Sequence, residues 1–417
     1  MRGLRRWWHD TAGGLPATFW YLWTGLLINR AGAFALLFLS LYLTEARGAS
    51  EALAGTVVGA YGAGGAVGVL LGGVLADRWG RRATLLAAHL GAAALMATLA
   101  FSQHLVLIAV LAALVGVVHS MPSPAFVAAI VDVVPEHRRS RAFNLQFWAF
   151  NLGMAVAALL AGVLAEASFM ALFLVDAAAT LAAAAVIAAK VPETLTRPPA
   201  GRERPSRRRP GLRTALTDRT FLVFVALTFV LAVLTMQTST IMPLAMRADG
   251  LGPSAYGVVV ALGGALIVVG QLFVPRLIDR HRTDRVLALS TGLLAAGFGA
   301  LALADALPVY LVAAVVWTVG SMLAAPPNAQ INADLAPPEL RARYQSVFYL
   351  TFPAASFVAP TVGGVSLQYL GDGHWLIVGA VGLLAAGGHL LAGPSRQRRV
   401  AALRAAAPPR VPQRLPG

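Results

Sequence analysis

Long apolar stretches alternate with short polar or charged breaks along most of the chain. Most stretches reach the roughly 20 residues that an α-helix needs to cross a bilayer. The first is too long for a removable signal peptide, so we expect it to be retained. The pattern predicts twelve spans, which we number in chain order: 17–44, 52–76, 83–102, 104–133, 141–165, 168–190, 219–246, 254–278, 285–304, 307–335, 342–369 and 373–393.

Composition agrees with this pattern. Hydrophobic residues make up 58% of the chain and charged residues only 12%, whereas soluble domains carry about 25% charged residues. The fold class predicted is an all-α membrane protein embedded in the lipid bilayer.

The basic residues fall on one side of this arrangement. Of 33 Lys and Arg residues, 30 lie in the termini, in the loops that follow even-numbered spans or at the span ends beside those loops; Arg30, Arg47 and Arg247 are the exceptions. Because basic loops stay in the cytoplasm, we expect both termini to be cytoplasmic. The bias also explains the net charge of +15. RNA binding by "GRERPSRRRPGLR" (201–213) is an open alternative, but a solvated loop is favoured and no nucleic-acid partner is expected.

A proline- and arginine-rich loop at 191–218 splits the spans six and six. Shifting the sequence by 202 places "DRWGRRATL" (77) on "DRHRTDRVL" (279), and shifting by 203 places "VPEHRRSRAF" (134) on "PPELRARYQS" (337). We therefore predict two parallel repeats of six helices, an N-terminal bundle (1–190) and a C-terminal bundle (219–394), followed by a basic tail (395–417).

Motifs for enzymatic chemistry are missing from the sequence. The single lysine, Lys190, follows Ala189, so there is no Walker A loop. There is no cysteine, the eight histidines form no close pair, and no GxSxG elbow occurs. We expect no enzymatic activity, no cofactor and no metal.

The charged loop after span 2 carries a specific motif. The stretch "GGVLADRWGRRATL" resembles the GxLaDRxGRR signature of the major facilitator superfamily, a large family of membrane transporters. The matching positions are Gly73, Leu75, Asp77, Arg78, Gly80, Arg81 and Arg82. The resemblance covers about residues 15–394 and implies the major facilitator fold, with twelve transmembrane helices in two six-helix repeats. Within the family, "INRAGAFALLFLSLYL" in span 1 and "LFLVDAAATL" in span 6 are similar to the twelve-helix drug:proton antiporters (the DHA1-like group).

In this family the aspartate and the second basic position form a charge network that holds the cytoplasmic side shut, which implies that role for Asp77 and Arg81. Asp132, near the inner end of span 4, is a second carboxylate that Arg81 could reach, and Gly80 permits the turn. The alternative is that these arginines only follow the charge bias. The corresponding second loop keeps Asp279 and Arg280 without the glycine, so a weaker latch is expected there.

Polar and aromatic residues on the inner helices are candidates for a substrate passage. Each is individually more consistent with packing, but as a set we expect them to line the passage: Asn29, Phe34, Asn144, Trp148, Asn151, Met236, Gln237, Thr240, Trp317 and Asn328.

Arg30 and Asp176 are the two charges placed well inside the hydrocarbon, where a charge costs at least about 2.5 kcal/mol. One hypothesis is a pair that couples proton entry to substrate release. The alternatives are a static pair or an aspartate bonded to nearby backbone, and these are slightly favoured.

Taken with the resemblance, these features predict a monomeric transporter of the bacterial inner membrane. Its expected activity is export of a drug-like or lipophilic small molecule by alternating access, driven by protons. A nutrient or metabolite symporter or uniporter is the first alternative, and a non-transporting receptor or scaffold is the second.

Overall fold

The computed structural model describes residues 13–195, 213–270, 273, 274, 278, 281–337 and 340–405. This part of the chain is mostly helical and contains no strand. Eleven of its helices are long and apolar enough to cross a membrane, and a shorter apolar helix, Leu37–Ala46, belongs to span 1. The prediction of an all-α fold with twelve spans is confirmed.

The helices of the first half follow the predicted spans closely. They are Ala17–Ala31, Ala35–Leu41 with a π-helical turn at Tyr42–Ala46, Glu51–Arg78, Arg81–Phe101, Leu105–Ser120, Pro122–Val133, Arg139–Ala167 and Phe169–Lys190, with a 3-10 turn at Glu136–Arg138.

The second half has the same plan. Its helices are Arg213–Thr217, Arg219–Thr240, Met242–Ala248, Pro253–Gly270, Thr283–Gly299 with a 3-10 turn at Ala300–Leu303, Leu307–Leu335, Arg341–Tyr349, Thr351–Leu370, Gly373–Leu391 and Gly393–Ala405.

Span 1 was predicted as one continuous helix, and that prediction is wrong. Its helix ends at Ala31 and resumes at Ala35. A broken helix exposes backbone N–H groups that lipid cannot satisfy, so non-helical backbone at this depth needs partners from the protein. The Phe34 N–H finds one in Asp176 Oδ2, at 3.1 Å.

Spans 2 and 4 pack backbone to backbone. At Gly64, Gly68 and Gly72 an added Cβ would overlap carbonyl groups of span 4, at Ala113, Val117 and Met121. Small residues at this spacing allow the close approach of two membrane helices. Here the stripe joins two helices of the same half.

A second set of glycines joins the two halves. At Gly55 and Gly62 of span 2, an added Cβ would overlap Pro360 and Ser356 of span 11. Gly257 of span 8 meets span 5 in the same way. Both contacts lie toward the end that carries loops 46–51, 101–105, 248–253 and 370–373, which we call the arginine-poor end. The opposite end, with loops 78–81, 133–139, 190–195 and 335–341, is the arginine-rich end.

Hydrophobic packing differs between the two ends. Toward the arginine-poor end one buried cluster includes residues of both halves, and the Phe38 and Tyr256 rings meet across it with centroids 5.2 Å apart. At the arginine-rich end the buried clusters stay within one half, around Phe19 in the first and Phe224 in the second. Within the described residues, the halves are therefore packed together at the arginine-poor end and not at the arginine-rich end.

Candidate functional site

The loop of the motif is shaped by one glycine. Span 2 ends at Arg78 and span 3 begins at Arg81, with Gly80 between them at a φ of +107°. Residues with a Cβ rarely adopt this conformation. A Cβ at Gly80 would also overlap the carboxylate of Glu193. The turn therefore requires glycine for both backbone and space.

Arg81 lies between two carboxylates, as expected from the sequence. Its Nη1 is 2.9 Å from Asp77 Oδ1 and its Nε is 3.2 Å from Asp132 Oδ2. Nη1 also donates to the carbonyl of Ala76, at 2.7 Å. The Arg81 side chain is 12% exposed and that of Asp77 is 78% exposed. The geometry of the network is thus present, while its role in gating stays a prediction.

Glu193 completes this network and was missed from the sequence. Its carboxylate accepts the backbone N–H of Arg81 at 2.8 Å and of Arg82 at 3.2 Å, and those of Thr194 and Leu195 at 3.0 Å. Burial opposes ionisation, but these four donors outweigh it and hold the pKa of Glu193 below its usual range. The signal available in the sequence was an acidic residue just after span 6, where it can meet the positive N-terminus of a helix.

The other motif residues are less constrained. Arg82 donates to the carbonyl of Ala188 at 2.6 Å, Arg78 is exposed, and a Cβ at Gly73 would meet nothing within 4 Å. The proposed second-half latch at 279–280 lies outside the described residues.

The structure brings few of the passage candidates together. Asn144 is exposed and Trp148 is partly buried, both on span 5. Asn151 donates to Phe147 of its own helix, at 2.9 Å. Met236 accepts a weak hydrogen bond from Ser356 of span 11 at 3.5 Å.

Four other candidates are buried inside the second half. Gln237 lies 3.3 Å from His374, Thr240 bonds to its own helix, and Trp317 stacks on Phe298 with centroids 4.9 Å apart. Asn328 accepts a hydrogen bond from Thr228 at 3.1 Å. In this structure they pack helices together, and contact with a substrate stays a prediction.

The residues of span 1 meet span 6 at the helix break. Asp176 is 1% exposed and accepts hydrogen bonds from the Phe34 N–H at 3.1 Å and the Thr180 hydroxyl at 3.4 Å. Asn29 donates to Thr180 at 3.2 Å. The alternative of an aspartate bonded to nearby backbone is therefore present in the structure, and a proton-coupling role for Asp176 stays untested.

Arg30 has a different environment. Its guanidinium carbon lies 5.1 Å from the centre of the Phe150 ring. The Nε atom is buried and has no hydrogen-bond partner among the described residues. A buried N–H group of this kind can donate a hydrogen bond to an anionic group or to a movable carboxylate.

Polar contacts between the halves were also missed from the sequence. Arg247 Nε lies 2.8 Å from Glu45 Oε1, and the Ala52 N–H donates to Gln368 at 3.1 Å. Both contacts are at the arginine-poor end, as is every hydrogen bond or ion pair recorded between the described parts of the two halves. The signal was the position of Arg247, one of three basic residues away from the arginine-rich loops.

Beyond the deepest contact of spans 2 and 11, side chains on the two helices become exposed. Leu70 of span 2 is 68% exposed and Leu350 of span 11 is 55% exposed. Together with the separate clusters, this shows halves that part toward the arginine-rich end.

Two six-helix halves joined at one end, with charged groups at the middle of the bundle, define a membrane transporter. The Major Facilitator Superfamily matches residues 22–360 and 227–413. The chain belongs to this superfamily.

Individual relatives agree. The chain is 28% identical over 367 residues to the uncharacterized MFS-type transporter YhjO of Bacillus subtilis. The aligned region covers 87% of this chain and 89% of that protein. It is 26% identical over 324 residues to the multidrug resistance protein MdtH of Aeromonas salmonicida, covering 75% and 79%. The solved peptide transporter POT in complex with sulfate shares the fold, with a TM-score of 0.75 at 17% identity over 92% of this chain and 96% of that one.

Proposed function

We propose that the protein exports drug-like or lipophilic small molecules in exchange for protons, by alternating access. The observation that carries this proposal is the asymmetry of the two ends: the halves are packed and ion-paired at the arginine-poor end and part at the arginine-rich end. Exchanging which end is packed would expose a central site to each side in turn.

The positive-inside rule gives the direction. If the arginine-rich end is cytoplasmic, this structure is open to the cytoplasm, the side from which an exporter loads. A Cys introduced at Ser206, outside the described residues, should then resist impermeant labelling of intact cells, and labelling from outside would reverse the assignment.

The substrate class is inferred from chemistry and likeness. Phe147 and Phe150 of span 5 are each 42% exposed, next to the partly buried Trp148. Aromatic surfaces suit amphipathic organic compounds, especially cations. The likeness to a multidrug resistance protein supports the same class.

The test is transport of ethidium, a lipophilic cationic dye, by the purified protein in proteoliposomes. An imposed pH gradient should drive dye against its concentration gradient, and dye added without a gradient should move protons in the opposite direction. Dye and protons moving together would indicate symport, and the absence of both fluxes would refute the proposal.

A second candidate, uptake of an anionic nutrient with protons, is favoured by one observation. Among the described residues the buried Arg30 Nε has no hydrogen-bond partner, which suits a carboxylated substrate. Proton-coupled uptake of an aromatic carboxylate such as benzoate, lost in Arg30→Gln, would support this candidate over export.

A further inference from the structure

Ionisable groups from five different spans of the first half lie near one another inside the bundle. Tyr61 of span 2, His89 of span 3, His119 of span 4 and Asp176 of span 6 are joined through hydrogen bonds and one shared cavity. Arg30 of span 1 follows Asn29, which lines that cavity. Proton-coupled transport, the function proposed above, requires a group that takes up and releases a proton inside the protein. The inference below rests on that function and names the group.

Only one of the two ring nitrogens of His119 has a hydrogen-bond partner among the described residues. Its Nδ1 lies 3.2 Å from the Tyr61 hydroxyl, and the two rings meet edge to face. Its Nε2 is buried and has no hydrogen-bond partner among the described residues. An imidazole in this position can gain a bond by changing its protonation, provided that a partner lies beyond Nε2.

A small cavity lies beside this ring. It has room for one water molecule, about 10 Å³, and its polar lining comes from Asn29, His89, His119 and Thr180. A buried water needs two to four polar partners, which this lining provides. The Nδ1 of His89 lies 2.7 Å from the Leu85 carbonyl; because a carbonyl only accepts, this nitrogen carries the proton and a neutral His89 offers Nε2 as an acceptor.

The polar groups continue beyond the cavity. Asn29 donates to Thr180 at 3.2 Å, and Thr180 donates to Asp176 at 3.4 Å. A water in the cavity would therefore connect Tyr61 and His119 on one side with Asp176 on the other. Linked groups of this kind are a feature of proton pathways inside membrane proteins.

We propose that this cavity holds a bound water and that His119 carries the coupled proton, received at Nε2 from the arginine-poor side and released toward the arginine-rich side. The step is a proton transfer alone: a hydronium ion protonates the imidazole and becomes water, and the imidazolium later returns the proton to another water, which becomes hydronium. Asp176 is the fixed anion of the chain, because it already accepts the Phe34 N–H and the Thr180 hydroxyl.

The position of Arg30 determines when His119 can take up the proton. Asn29, the neighbour of Arg30 in sequence, lines the same cavity as His119, and two cations repel strongly in a low-dielectric interior. A second positive charge on His119 is therefore unfavourable while Arg30 occupies its present position. Arg30 immediately precedes the break in span 1, so a change between the two helix segments moves its charge and lets His119 accept the proton.

The first experiment uses His119→Gln, which keeps a hydrogen-bonding group for Tyr61 but cannot titrate. The matched control is His389→Gln in span 12, where a fully buried histidine has no hydrogen-bond partner for either ring nitrogen among the described residues. In proteoliposomes, His119→Gln should lower pH-driven ethidium transport at least tenfold and leave downhill ethidium exchange near wild type. The control should keep the wild-type ratio of the two rates, and a wild-type ratio in His119→Gln would overturn the inference.

Ala92→Val tests the water, since its added methyls enter the cavity that Ala92 lines. We expect the driven rate to fall while downhill exchange persists. An unchanged ratio in folded Ala92→Val would refute the water-mediated connection.

A measurement without substrate separates this inference from the proposed function. In NMR of histidine-labelled wild-type protein, the signal missing from His119→Gln identifies His119. Arg30→Gln should raise the proton affinity of that signal at least tenfold, seen as a shift of one pH unit or more. If the wild type moves no dye but this shift occurs, export fails and the Arg30–His119 linkage stands; a signal insensitive to Arg30→Gln overturns the linkage.

Discussion

Glu45→Gln removes the ion pair that joins the halves at the arginine-poor end. The Glu45 side chain is 23% exposed and that of Arg247 is 54% exposed, with 2.8 Å between their atoms. A pair this accessible contributes about 0.2–1 kcal/mol. Because only the state closed at this end contains the pair, the variant should raise the population open at this end by about 1.4- to 5-fold.

The chain contains no cysteine, so spin labels can be placed without background. One pair, His137→Cys with Arg398→Cys, reports the arginine-rich end, and another, Gln103→Cys with Ala306→Cys, reports the arginine-poor end; all four sites are exposed. Pulsed electron paramagnetic resonance should show longer distances across the second pair in Glu45→Gln. At 1 M salt, where charges are screened beyond about 3 Å, the difference from wild type should shrink.

The control is Asp305→Asn, which removes an equal charge from an exposed site at the same end. It should leave both distance distributions unchanged. If Glu45→Gln also leaves them unchanged, or shortens the distances at the arginine-poor end, the ion pair does not favour the present state and the reasoning is refuted.

Three further predictions concern the loop of the motif. Gly80→Ala should cost about 1–3 kcal/mol in backbone strain, seen as a lower Tm in thermal unfolding, whereas Gly73→Ala should be near neutral because its Cβ meets nothing. The pKa of Glu193 is lowered from an ordinary value of 4.5, so its carboxylate should stabilise the fold above pH 4.5 and lose this effect as the pH falls through the lowered pKa. The difference in Tm between wild type and Glu193→Gln should therefore disappear in acid. A difference that does not change with pH would contradict the reasoning. Asp77→Asn should lower turnover more than folded protein per cell, and equal losses of both would reduce its effect to stability.

The spans and the charged loop were predictable because each depends on local sequence. Apolar runs fix where helices cross the bilayer, and the spacing of Asp77, Gly80 and Arg81 fixes their positions around one turn. Asp132 could be added because both helix ends were assigned to the same side. The break in span 1 was not predictable, since an apolar run continues through residues 32–34. The Phe34 N–H exposed there donates to the Gly32 carbonyl and to Asp176, and Asp176 is 142 positions away in the sequence.

The passage candidates show where helical periodicity stops being informative. A shared face on span 7 does not say which neighbour that face meets, and the structure directs Gln237 toward His374 of span 12. Glu193 and Glu45 were missed for a related reason: each acts through a partner more than 100 positions away, Arg81 for the first and Arg247 for the second. Such pairings follow from the arrangement of helices rather than from any short motif.

The two ends of the molecule are held by interactions of different kinds, and this has a consequence for how they respond to change. The Asp77–Arg81–Asp132 network lies entirely within the first half, and Glu193 binds it from the loop that follows span 6, so these contacts can persist in every state that keeps this half and the start of the loop intact. The Glu45–Arg247 pair crosses between the halves, so it must break whenever the arginine-poor end opens. Changes that weaken the first set alter the shape and stability of one half, whereas changes to the second alter the balance between states. Asp77 is 78% exposed, so we expect it to do both if the second half meets this loop when the arginine-rich end closes.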